Sequence, residues 1–153
     1  MTIDLPKLAI AVIQPWTHAI VHGWKDIENR DWPTNFRGPV CIHASKFEKR
    51  KFAEQVEGYK ATVSPAGPLA HIPDFGFDDL TFGAIIGVVD IVDCVTRSSS
   101  PWFFGPYGFV LANARPITPI PVRGKQGFFD WRSRVLDPST IPAALPPAQG
   151  LLL

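Results

Sequence analysis

A chain of 153 residues with 46% apolar and 19% charged side chains is long enough to bury a core as one domain and too apolar for a disordered tail. Its formal net charge of +1 argues against a uniformly basic nucleic-acid binder, so any such role must rest on how the charge is distributed. No basic cluster precedes an apolar run at the N-terminus, and Leu8–Ile13 is too short to span a bilayer or act as a signal, which predicts no membrane association.

Leu8–Ile13 is continuous, apolar and partly β-branched, the pattern of a buried strand. Pro15 suits a first helical turn and Gly23 a left-handed stop, so Pro15–His22 predicts a short helix with Trp16, Ala19 and Ile20 on one face. Lys25–Arg30 reads as extended until Pro33, Asn35 and Gly38 break it, and Pro39–His43 is a second apolar strand. Phe52, Val56 and Tyr59 recur at helical spacing between charges, predicting an amphipathic helix over Phe47–Tyr59. Lys60–Phe82, rich in Pro, Gly and Ala, is long for a connection and reads as a lid or a mobile insertion. Gly83–Val95, Tyr107–Ala112, Ile117–Val122 and Gly127–Trp131 are the later strands. Six strands and two early helices predict an α+β fold, a small closed or nearly closed β-barrel plugged by helices. Residues 1–135 form the expected domain. Residues 136–153 form an apolar, proline-rich tail expected to lie extended, with Pro142–Pro147 a weak match to a proline-module ligand. Cys41 and Cys94, each inside a strand-like run, read as buried thiols without a disulfide and predict a reducing, cytoplasmic setting.

Charge is clustered. Gly23–Lys51 holds seven Lys/Arg against four acids and Arg115–Arg134 five against one, whereas Asp74–Asp93 holds five aspartates and no cation. If the two basic segments share a face, the fold presents a basic groove with an acidic back. The richest stretch is Gly23-Trp-Lys25-Asp-Ile-Glu28-Asn-Arg30-Asp-Trp32, which combines cations for phosphate, indoles for base stacking and a carboxylate beside a lysine. In a regular strand Glu28, Arg30 and Trp32 share a face opposite Lys25, unless a bulge or the turn after Gly23 swings Lys25 round. Glu28 then pins Arg30 and Lys25, in a binding site or as an ion pair closing one end of the fold. His18 and His22, one turn apart, have Ala19 between them and no acidic or cysteine ligand near in sequence, so they read as exposed helix residues and no metal is expected. Trp102, Phe103, Phe104 and Tyr107 read as core packing ahead of a stacking wall, and Arg123-Gly-Lys125-Gln-Gly127 as a basic hairpin turn or a phosphate wrap.

Gly23, Lys25, Glu28 and Arg30 in the order Gly-x-Lys-x-x-Glu-x-Arg match the hallmark of the ASCH domain, a branch of the PUA-like superfamily of small β-barrels linked to RNA metabolism. Gln14-Pro15-Trp16, Trp32, Arg37-Gly38, His43-Ala-Ser45-Lys46, Gly83–Asp90, Gly105–Val110 and Pro121–Gly127 follow in order, so the chain resembles this family over Leu8–Trp131. The resemblance implies a cleft beside the first helix that holds single-stranded RNA or a modified nucleotide. Its binding residues are Gln14, Trp16, Lys25, Arg30, Trp32, Arg37, Ser45, Lys46, Tyr107, Arg123 and Lys125, and no cofactor is expected. An enzymatic branch hydrolyses acylated cytidine with a lysine and a threonine three residues later. Here Glu28 stands in the threonine position, so a hydroxyl must come from Thr17, Thr34 or Ser45 if that reaction occurs. A metal-independent ribonuclease needs a base, an acid and cations, for which Lys25, Glu28 and His43 are the catalytic candidates. A protein-interaction module using the tail or residues 60–82 is the third expectation.

Overall fold

The computed structural model describes residues 4–142. Its centre is one six-stranded sheet in the spatial order β2-β5-β4-β3-β1-β6, built from β1 (Leu8–Val12), β2 (Ile27–Arg30), β3 (Gly38–Ala44), β4 (Ala84–Val95), β5 (Tyr107–Pro121) and β6 (Phe128–Asp130). Only β1 and β3 run parallel, with Ile10 opposite Ile42; every other pairing is antiparallel. Alternation sets the two faces. Ile10, Val12, Val40, Ile42 and Phe109 pack on one side with Ile20 and Val21, whereas Ala9, Cys41, Ile85, Val88, Ile120 and Trp131 pack on the other.

The sheet is open, which corrects the closed barrel expected from the strand count. β2 and β6 are its edges, four and three residues long, and do not pair with each other. Side chains bridge the gap instead. Trp32, just beyond β2, lies 5.3 Å from Phe109 and 5.8 Å from Phe128 of β6, and Arg30 Nη2 donates across to the Ala11 carbonyl at 2.6 Å. The molecule is thus an open half-barrel sealed along one seam by rings and a guanidinium.

The expected break between Tyr107–Ala112 and Ile117–Val122 is absent: β5 is one strand of fifteen residues. Asn113, at φ 55°, and three register shifts against β4 bend the ribbon without stopping it. Pro116 is accommodated because β2 pairs only with 107–110, leaving β5 an edge beyond Val110. Helix α1 (Trp16–Val21) starts one residue later than read, with Pro15 as its N-cap, and its Val21 presses onto Gly87 of β4. Helix α2 (Lys49–Thr62) starts and ends later than read and buries Tyr59 against Trp16, Phe75 and Trp102. Residues 63–82 pack down through Leu69, Ile72 and Leu80 and form a 3-10 turn at Phe77–Asp79. That segment is anchored to the core around Tyr59. Of the tail, Asp137–Ile141 is a capped 3-10 turn whose Ile141 touches the second core face. Most of the stretch Pro142–Pro147 lies outside the described residues. Cys41 is buried and Cys94 half-buried, both free thiols, and burial pushes the Cys41 thiol up to about 12. Among the described residues no helix is long and apolar enough to cross a membrane.

Candidate functional site

The turn after α1 decides where Lys25 points. Gly23 adopts φ +79°, and the amides of Trp24 and Lys25 both donate to the Ala19 carbonyl, at 3.0 and 3.1 Å. The chain therefore folds back on the helix end, and Lys25 lies outside β2, freed from strand alternation. Its ammonium turns inward beside Trp16, 5.7 Å from the ring centroid, donating to the Ile27 carbonyl and, at 3.2 Å, to Glu28 Oε1. The other Glu28 oxygen accepts from Arg30 Nε at 3.1 Å and Nη2 at 2.9 Å. One carboxylate thus holds two cations, and Arg30 also lies over Trp32, 5.8 Å from its centroid. Only 3% of Lys25 is exposed. Burial pushes its ammonium below the usual lysine value, with Arg30 adding to the shift and Glu28 opposing it.

These groups floor a cavity of about 1220 Å³ between the half-barrel, α2 and the 123–127 loop. Gln14, Trp16, Lys25, Glu28, Arg30, Trp32, His43, Ser45, Lys46, Arg123 and Lys125 all line it. Gln14 is held by its amide donating to the Thr81 carbonyl and accepting from the His18 N–H, both at 2.9 Å, and Trp16 Nε1 donates to Gln55 of α2 at 2.6 Å. Arg134 clamps the 123–127 loop through the Arg123 and Gly124 carbonyls, at 2.6 and 2.9 Å. Six cations from both basic segments meet three acids in the lining, so the overall charge balance conceals a locally basic site.

His43 sits beneath that loop. Its Nε2–H donates to the Val122 carbonyl at 2.8 Å, leaving Nδ1 as an acceptor without a partner. Burial pushes the imidazole below its ordinary value, against the effect of that bond. Gly124 lies so close that a Cβ there would stand 2.5 Å from Cε1 of the ring.

Two of the expected binding residues lie elsewhere. Arg37 is exposed, donates to the Thr34 and Phe36 carbonyls and faces Asp93 at 3.8 Å. Tyr107 pairs with Arg30 across the β2–β5 ladder but does not line the cavity, while Phe104, Gly105 and Pro106 before it do. Of the substitute hydroxyls, Ser45 lines the cavity; Thr17 is buried, donating to the Val12 carbonyl at 2.8 Å, and Thr34 lies outside, accepting from the Phe36 amide. His18 and His22 are half-buried, not exposed: His22 stacks on Trp24 at 4.9 Å, and burial with the neighbouring His22 pushes His18 down to about 4. Residues missed by sequence reasoning include Asn29, whose side chain fixes the 102–105 loop through the Trp102 carbonyl and the Phe104 and Gly105 amides, and Phe52 and Phe82 of the wall. Asn29 lay inside the hallmark stretch as an unassigned position. Nothing local to Phe52 or Phe82 revealed that α2 and the entry to β4 face the same space.

The family model "ASCH domain" matches residues 10–121. Two curated relatives named Activating signal cointegrator 1 align over 136 residues, 82% of this chain: the human protein at 26% identity and the mouse protein at 33%. The chain spans only 22% of the length of either. With the Gly23–Arg30 hallmark folded against α1 on an open six-stranded half-barrel, the chain belongs to the ASCH domain family of the PUA-like superfamily.

Proposed function

We propose that this ASCH domain binds single-stranded RNA, or a modified nucleotide within it, in the cavity floored by Lys25, Glu28 and Arg30. The observation that carries the reading is the juxtaposition of six cations with Trp16 and Trp32 in the lining of one space. Guanidinium and ammonium groups suit phosphate, indoles suit any base, and Ser45 supplies a base-edge partner, whereas the Gln14 amide is held by Thr81 and His18. In EDTA, labelled single-stranded RNA should shift on mixing with the protein and remain intact, and Lys25→Ala or Arg30→Ala should weaken binding by roughly 1–3 kcal/mol. Unchanged affinity in both variants overturns the reading and favours the protein-interaction module. The cointegrator name belongs to the relatives and extends to this chain only as that weaker reading.

A second reading, metal-independent cleavage of the bound RNA, rests on the unpartnered Nδ1 of His43 in the cavity wall. That nitrogen is covered by Gly124, so the imidazole takes the proton of a 2′-hydroxyl only once the 123–127 loop lifts from it, with Arg30 on the cavity floor to meet the phosphate. Fragments that persist in EDTA and vanish in His43→Gln, with RNA binding retained, support it. Acetylated cytidine should release little or no acetate, because Glu28 replaces the hydroxyl; efficient release would direct attention to Ser45.

A further inference from the structure

We infer that the cavity takes a strand rather than a free nucleotide, and that four phenylalanines at its rim form the stacking platform for the nucleotide adjoining the one inside. The inference rests on the RNA-binding reading above. Phe47, Phe52, Phe77 and Phe82 come from the loop before α2, from α2, from the 3-10 turn and from the entry to β4. Every pair of these rings lies 5.2–5.7 Å apart, centroid to centroid. The group is separate from the three buried core clusters, so support of the half-barrel does not account for it. Two of its rings, Phe52 and Phe82, belong to the cavity wall, while Phe47 is 44% and Phe77 54% exposed. The apolar surface therefore runs without interruption from inside the cavity to open solvent. Isolated exposed apolar side chains are ordinary; a contiguous aromatic patch joined to a binding cavity marks an interaction site.

Size and charge identify the occupant. A space of about 1220 Å³ exceeds the roughly 300–1,000 Å³ of pockets that enclose one drug-sized ligand. Lys46, adjacent to Phe47 and in the lining, has no ion-pair partner among the described residues and is placed to meet the phosphate between the two nucleotides. The nearby acids are largely engaged: Glu48 faces Lys51 at 3.5 Å, and the Asp79 carboxylate accepts from the Gly76 amide at 2.6 Å. Asp78, on the same turn as Phe77, keeps the patch from being strongly basic, so stacking and not charge supplies its share of the affinity. Phenylalanine faces accept any base, so the platform adds affinity without sequence preference.

Titration followed by tryptophan fluorescence, with the four ribonucleoside 5′-monophosphates and with mixed-sequence single-stranded RNA trimers and hexamers, tests this directly. Trimers should bind roughly tenfold or more tightly than any monophosphate. Phe47→Ala, Phe77→Ala and Phe77→Leu should each remove most of that gain while leaving monophosphate affinity unchanged, and Phe77→Trp should keep it. Because Phe47 and Phe77 are the exposed members, thermal melts of these variants should stay close to the parent, and any variant that fails to fold is replaced by Phe77→Leu, which keeps the apolar bulk. Equal affinity for monophosphates and trimers, or a gain that survives in the alanine and leucine variants, overturns the platform while the RNA-binding reading stands. Binding of neither monophosphates nor RNA overturns that reading, and the platform with it.

Discussion

Glu28 holds the buried Lys25 ammonium with one oxygen and the Arg30 guanidinium with the other, and this asymmetry makes its removal more damaging than that of Lys25. Glu28→Gln leaves a buried cation uncompensated and should destabilise the fold by on the order of 3 kcal/mol, whereas Lys25→Met leaves the Glu28–Arg30 pair intact and should be near neutral in a denaturant titration. Both variants should lose RNA affinity, so comparing melts with binding isolates the role of Lys25. Titration adds a second test. His18, held at about 4 against an ordinary 6.5, and His43, also lowered, are neutral in the folded state where the unfolded chain is protonated. A depressed folded value means that their contribution is complete above 6.5 and is lost as pH falls through the folded values. The thermal midpoint should therefore drop between pH 6.5 and 4, and less steeply in His18→Gln.

At the scale of elements, α1 and β4 meet through one missing side chain. A Cβ on Gly87 would stand 2.4 Å from Val21 Cγ1 and 2.9 Å from the Arg115 carbonyl, so Gly87→Ala must push the helix off the sheet or bend β5. A cost of about 1–3 kcal/mol is expected, partly recovered in Gly87→Ala/Val21→Ala, which chemical denaturation of the double-mutant cycle will show. Because α1 carries Trp16 and its C-terminal turn aims Lys25, the single variant should also weaken RNA binding. Both helices and most strands were legible from apolar periodicity and from Pro15 and Gly23. The continuity of β5 was not: Asn113 and Pro116 are breakers by composition, yet bulges and an unpaired edge absorb them.

Across the whole molecule, cations distant in sequence converge on one space, and binding should respond to salt accordingly. Log affinity for single-stranded RNA should fall against log salt with a slope of about −0.7 per phosphate contact, and Lys46→Ala or Lys125→Ala should reduce that slope by roughly one contact each. Arg37→Ala should leave it unchanged, since Arg37 faces Asp93 and its own loop. A salt-independent affinity measured by anisotropy would rule out the phosphate contacts.

Sequence alone determined the family, through the ordered motifs around Gly23–Arg30, and most of the helix and strand content, because periodicity and the Gly23 stop are local properties carried by consecutive residues. Whether Lys25 joins Glu28 and Arg30 it left open, and the folded turn after α1 decided it. Tertiary structure decided three other things. The sheet is open rather than closed, because closure depends on whether β2 and β6, one hundred residues apart along the chain, come within hydrogen-bonding reach, and rings and Arg30 fill that seam instead. Arg37 and Tyr107 left the site while Asn29, Phe52 and Phe82 entered it, because the direction of a side chain relative to a cavity is fixed by turns and packing, not by residue type. In the sequence Phe47 and Phe52 read as parts of an amphipathic helix and Phe77 and Phe82 as parts of a connection. They became one surface only when α2, the 3-10 turn and the entry to β4 were folded against the same rim.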